Sequence, residues 1–109
     1  MMADYLQVTT TTASREEADK IARALLEARL AGCVQVSDPI SSTYWWQGAL
    51  ESSQEWTCCI KTSRRLYPRV EKTIKRLHSY QVPEILASAV VEGSPEYLAW
   101  LENELDRAS

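Results

Sequence analysis

Three aromatic residues in succession, Tyr44-Trp45-Trp46, constrain this chain more than any other feature. They end a run rich in β-formers, and successive strand side chains point to opposite faces. Tyr44 and Trp46 therefore point one way and Trp45 the other. The spacing predicts one long strand from Cys33 to Trp46, with a bulge or bend at Asp38-Pro39, because proline cannot donate to a ladder. Gln47-Gly48-Ala49 reads as the turn, and Glu55 to Thr62 as the returning strand. The result is a long hairpin over 33–62 with large apolar groups on both faces. A lone subunit cannot easily cover both, and exposed aromatic patches of this kind mark interfaces.

The rest of the chain supplies the framework. Tyr5 to Thr9 reads as a strand, with Thr9 to Thr12 running on into a loop. Ser14-Arg15-Glu16-Glu17 has the form of a reciprocal capping box. Ala18, Ile21, Ala22 and Leu25 then follow at helical spacing until Gly32, placed where a left-handed residue ends a helix. A second helix, starting between Ser63 and Pro68, carries the stripe Leu66, Val70, Ile74 and Leu77. His78 to Glu84 is a loop and Ile85 to Val91 a strand. Ser94-Pro95 caps and starts a last helix with Leu98, Leu101 and Leu105 on its buried face. This order predicts an α+β fold: a ferredoxin-like β-α-β-β-α-β sandwich with an extra C-terminal helix and a long hairpin between its second and third strands. With 109 residues and no linker or repeat, a single domain over 1-109 is expected.

Several functions are disfavoured. The net charge of −3 argues against nucleic-acid binding. The returning strand lacks the basic-aromatic pattern of RNA-recognition domains, and the loop after the first strand has neither glycine nor arginine for an acylphosphatase-like anion loop. Phosphate-loop, dinucleotide and nucleophile-elbow patterns are absent, so an enzyme is not expected. No run approaches the roughly 20 apolar residues that span a bilayer, and Met1-Met2-Ala3-Asp4-Tyr5 does not read as a leader. Cys33, Cys58 and Cys59 fit reduced thiols, hence a cytoplasmic protein without membrane contact.

Five segments occur together in register: Ala22 to Val34, Tyr44 to Gly48, Ile60 to Thr62, Leu77 to Ile85 and Gly93 to Leu101. From Val8 to about Leu105 the chain resembles the CutA family of divalent-cation tolerance proteins. The resemblance implies a homotrimer in which the long hairpins wrap onto neighbouring subunits. It also implies a link to copper and other divalent cations. The trimer is similar to that of PII-type signalling proteins, which leaves a second reading open: a signalling or scaffold trimer holding a small anion or a partner protein in its inter-subunit clefts.

His78, Cys33 and Glu84 are the candidate metal ligands. Imidazole suits copper or zinc, thiolate suits Cu(I), and a carboxylate offers a hard oxygen. Each has a plainer alternative: a locally bonded loop histidine, a packed thiol and a junction-locking loop residue. Metal-binding members of the family carry a first-strand cysteine and paired histidines. Here Thr9 or Thr10 and Leu77 stand at those positions, so a weak copper or divalent-cation site is expected. Cys58 and Cys59, adjacent on a strand, face opposite sides and read as packing. Tyr44, Trp45, Trp46, Tyr80 and Pro83 are the expected interface residues, and shared β-pairing among subunits predicts a thermostable assembly.

Overall fold

Residues 4–108 are described by a computed structural model. Met1 to Ala3, part of the segment read as lacking a leader, lie outside them, as does Ser109. The elements are β1 (Tyr5–Thr12), α1 (Arg15–Glu27), β2 (Cys33–Val36), β3 (Ile40–Trp46), β4 (Ala49–Ser63), a 3-10 turn (Arg64–Leu66), α2 (Tyr67–Leu77), β5 (Leu86–Ala89) and α3 (Pro95–Glu104). All pairings are antiparallel, in the order β2-β4-β1-β5, with β3 also on β4. This is the expected α+β, ferredoxin-like arrangement.

The core follows the strand alternation. Leu6 and Val8 of β1 and Cys58 and Ile60 of β4 are buried with Ile21 and Leu25 of α1 and Val70 and Ile74 of α2. Burial pushes the Cys58 thiol up to about 11, so it stays protonated as a small apolar core group. Cys59 points away from that core and donates to Gln7 Oε1 at 3.2 Å. The two neighbouring cysteines thus part as expected.

Four local readings need correction. The threonine run stays in β1, with Thr12 opposite Trp56, because β-branched residues fit a pleated strand. The strand expected over 33–46 is two strands, parted at 37–39 by the expected bulge at Asp38-Pro39, where three residues face two of β4 and Ser37 bonds Thr57 twice: its N–H donates to the Thr57 carbonyl, and its Oγ accepts from the Thr57 N–H. α1 ends at Glu27, and the left-handed residue after it is Arg29, with φ 59°, not Gly32. Gly32 instead permits close packing, since a Cβ there would lie 2.5 Å from Leu101 Cδ1. Finally, Ser14 does accept from the Glu17 N–H at 3.1 Å, but the Glu17 carboxylate turns to Ser79. The capping box is therefore half made.

Gln47 and Gly48 both have positive φ, 50° and 83°. Trp46 pairs with Ala49, so this is the two-residue turn whose twist matches a hairpin. The ribbon of β3 and the start of β4 stretches the chain to 44 × 27 × 24 Å. At the other end, guanidinium groups clasp α3 and the segment after it. Arg65 meets Glu102 at 3.0 Å, Arg69 meets Asp106 at 3.0 Å and Arg29 meets Glu104 at 3.1 Å. β5 forms one edge of the sheet, with all four residues exposed.

Thr10 Oγ1 is buried without a hydrogen-bond partner among the described residues. An unsatisfied buried hydroxyl costs about 1 kcal/mol or more, and an isosteric methyl removes the cost. Thr10→Val should therefore raise stability by about 1 kcal/mol, read as a higher midpoint in guanidinium unfolding at unchanged slope. A lower midpoint would contradict this.

Candidate functional site

A cleft of about 830 Å³ opens between the β3–β4 ribbon and the loop 78–84. The loop's path is set at its first residue. His78 Nε2 lies 2.7 Å from the Thr11 carbonyl, which only accepts, so Nε2 carries the proton. Nδ1 then accepts the Tyr80 N–H at 3.1 Å. The tautomer is assigned from this network. Glu17 adds a second anchor: it accepts from the Ser79 N–H at 2.6 Å and from Ser79 Oγ at 3.0 Å, with Oε2 3.7 Å from His78 Nδ1. α1 and β1 together hold the loop against the body.

So held, Tyr80 reaches the ribbon and its hydroxyl donates to Glu55 Oε2 at 2.7 Å. Glu55 is only 6% exposed. It sits opposite Ile40, and the register places Ile40, Ser42, Tyr44, Trp46, Ser53 and Glu55 on one face of the ribbon. Tyr44 and Ser53 join their hydroxyls across that face at 3.1 Å. The other face carries Trp45 opposite Leu50, 72% and 61% exposed. Burial, then the bond to the Glu55 carboxylate and its charge, raises the Tyr80 phenol well above the ordinary tyrosine value.

Among the described residues two carboxylates, Glu55 and Glu84, line the cleft, and no lysine or arginine does. All five expected interface residues, Tyr44, Trp45, Trp46, Tyr80 and Pro83, border it. The expected metal ligands are spread out. Glu84 is exposed on the cleft. The His78 side chain is fully buried, and ligation through Nδ1 would first have to release the Tyr80 amide. Cys33 pairs with Lys61 at the level of Gln7 in β1, four residues along that strand from Thr11. At ~3.3 Å per residue this puts Cys33 roughly 13 Å along the sheet from His78. Among the described residues no three His, Cys, Asp or Glu side chains gather into a metal-holding group. Within one chain the donors around the cleft therefore do not make a complete metal site. Glu55, the buried charge of the site, escaped sequence reasoning. Strand alternation sets it on the face opposite Trp56, Cys58 and Ile60, where a carboxylate reads as an ordinary solvent-facing residue, and no spacing rule marks its burial.

The chain matches the family model described as CutA1 divalent ion tolerance protein over residues 6–104. It is 44% identical over 94 residues to the divalent-cation tolerance protein CutA of Thermus thermophilus, covering 86% of this chain and 91% of that protein. It superposes on CutA1 of the psychrotrophic bacterium Shewanella sp. SIB1, described as a stable protein, with a TM-score of 0.93. That match is 33% identical and covers 96% of this chain and 98% of the other. The periplasmic divalent cation tolerance protein CutA of Archaeoglobus fulgidus gives a TM-score of 0.91 at 35% identity, covering 94% and 99%.

The raised Tyr80 value fixes a pH dependence. The folded phenol gives up its proton at a higher pH than an unfolded tyrosine. Its contribution is thus complete below pH 10.0, the ordinary value, and is lost as pH rises through the folded value. Tyr80→Phe should lower stability by about 1 kcal/mol at neutral pH and flatten the fall above pH 10.0. Melting curves across that range check it. Tyr5 and Tyr67, also raised, keep part of the slope in the variant.

Proposed function

The chain belongs to the CutA1 divalent ion tolerance protein family, and from that premise we propose that it is a homotrimer that binds divalent cations weakly and catalyses no reaction. One observation carries the cation reading: Glu55 is a buried carboxylate whose hydrogen-bond partner is a neutral phenol, in a cleft lined by no basic side chain among the described residues. Buried charge calls for a counter-charge. One chain offers two carboxylates there, which fits weak binding of copper or another divalent cation and leaves further donors to a neighbouring subunit. His78 and Cys33 remain candidate ligands only if loop or subunit contacts bring them closer. The alternative, a PII-like signalling trimer holding a small anion, finds no cationic lining in this cleft among the described residues of one chain.

The trimer reading rests on the ribbon. Trp45 and Leu50 form a bare apolar pair, and a two-stranded ribbon by itself is marginal in water. Contact with neighbours would cover both, would couple folding to assembly and so favour thermal resistance. Cys33, Cys58 and Cys59 are unpaired, which suits a reducing compartment, and we place the protein in the cytoplasm. No described helix is long and apolar enough to cross a membrane.

Sedimentation equilibrium should return three times the 12.4 kDa chain mass. The double variant Trp45→Ser, Leu50→Ser should shift the mass toward the single chain. A wild-type monomer at micromolar concentration would remove the trimer. For the cation reading, calorimetric titration with Cu(II) and Zn(II) should give weak binding that Glu84→Gln and Glu55→Gln reduce further. Binding left untouched by both variants would remove the cleft as the cation site.

A further inference from the structure

We infer that the cleft takes a small organic ammonium ion, with the cationic head against Glu55 and beside the rings of Tyr44 and Tyr80. The inference rests on reading this cleft as a cation site and names the class of cation that its walls suit.

The first reason is the match of charge and lining. Glu55 is at least nine-tenths buried, and its one hydrogen bond comes from Tyr80, on Oε2. Among the described residues its other oxygen accepts no hydrogen bond. The strand register puts Tyr44 on the same ribbon face as this carboxylate, its hydroxyl bonded to Ser53 on the side toward Glu55, and Tyr80 reaches Glu55 from the loop. Aromatic rings present a negative face, and an ammonium head gains from several such faces together with a carboxylate. Among the described residues of one chain, no lysine or arginine lines the cleft to compete.

The second reason is size and donor type. At about 830 Å³ the cleft is in the range of small-molecule sites and far larger than a bare ion requires. A bare divalent ion would use only the oxygens of Glu55, Glu84 and their polar neighbours and would leave the aromatic part of the lining idle. An alkylammonium uses both parts. Its methyl or methylene groups bury against the phenol rings while one charge is met by one carboxylate.

The third reason is preorganisation. Tyr80 is held through its own amide by His78, and the next residue back is fixed by Glu17. Tyr44 is tied to Ser53. Two walls are thus positioned before any ligand arrives, which lowers the ordering cost of binding.

The test compares choline with 3,3-dimethylbutan-1-ol, its uncharged analogue of the same shape, by calorimetry and tryptophan fluorescence on the full chain in its solution assembly. Choline should bind at least about tenfold more tightly than the neutral analogue. Glu55→Gln should erase that preference. Tyr44→Leu, which leaves the buried carboxylate and its phenol in place, should weaken choline at least about tenfold while the melting curve shows a folded protein. Equal binding of the two probes, or choline binding indifferent to both variants, would overturn the inference. Zn(II) binding that depends on Glu55 and Glu84, with no choline binding, would overturn it while sparing the cation reading. No binding of choline, Zn(II) or Cu(II) would overturn both.

Discussion

β4 is the strand on which everything else depends, because its fifteen residues must satisfy backbone groups along both edges. Toward its C-terminal end it lies between β1 and β2, and the three strands share one core-facing surface. Toward its start it has only β3. The pairing with β1 stops at Trp56. Glu55 is the first residue past that limit, and the 78–84 loop, bonded to β1 at Thr11, reaches it through Tyr80. The cleft is therefore a consequence of unequal strand lengths. Tyr80 fills part of the gap and leaves the rest open.

This division also separates two kinds of stabilisation. The body is held by apolar burial between one sheet face and α1 and α2, a term proportional to area and indifferent to direction. The ribbon is held by ladder bonds, a two-residue turn and hydroxyl pairs such as Thr43 with Ser52. Such bonds contribute little net stability in water. The loop between them uses a third kind, directional bonds from buried groups: His78 to a carbonyl, Glu17 to an amide, Tyr80 to a carboxylate. These fix position more than they add stability, and position is what a binding wall requires.

Much of this was legible from residue order. Helical spacing in 18–25 and 66–77, the Ser94-Pro95 start and the paired aromatic strand gave the element types and the fold. The family motifs gave the divalent-cation link. Boundaries were less legible where two local rules competed. Threonine serves both loops and strands, and β1 kept the run because β4 offered it partners through Trp56. Gly32 invited a helix-end reading, yet Arg29 took the left-handed turn and the glycine was required by Leu101. Within the site, Tyr80 and Pro83 were visible as a distinctive loop. Glu55 was not, because its meaning comes from a tyrosine 25 positions away in sequence. His78 was marked for its imidazole chemistry, while its place in the fold commits both nitrogens to backbone groups.

The outer strand β5 has one further consequence. Its four residues, Leu-Ala-Ser-Ala, carry neither charge nor proline, and Leu86 is exposed. Natural sheets usually guard such a margin with lysine, a bulge or a covering segment. Here nothing in the strand itself repels a stray β-segment. The strand thus presents open backbone donors and acceptors together with an apolar side chain, the two features that let a foreign β-segment add to a sheet.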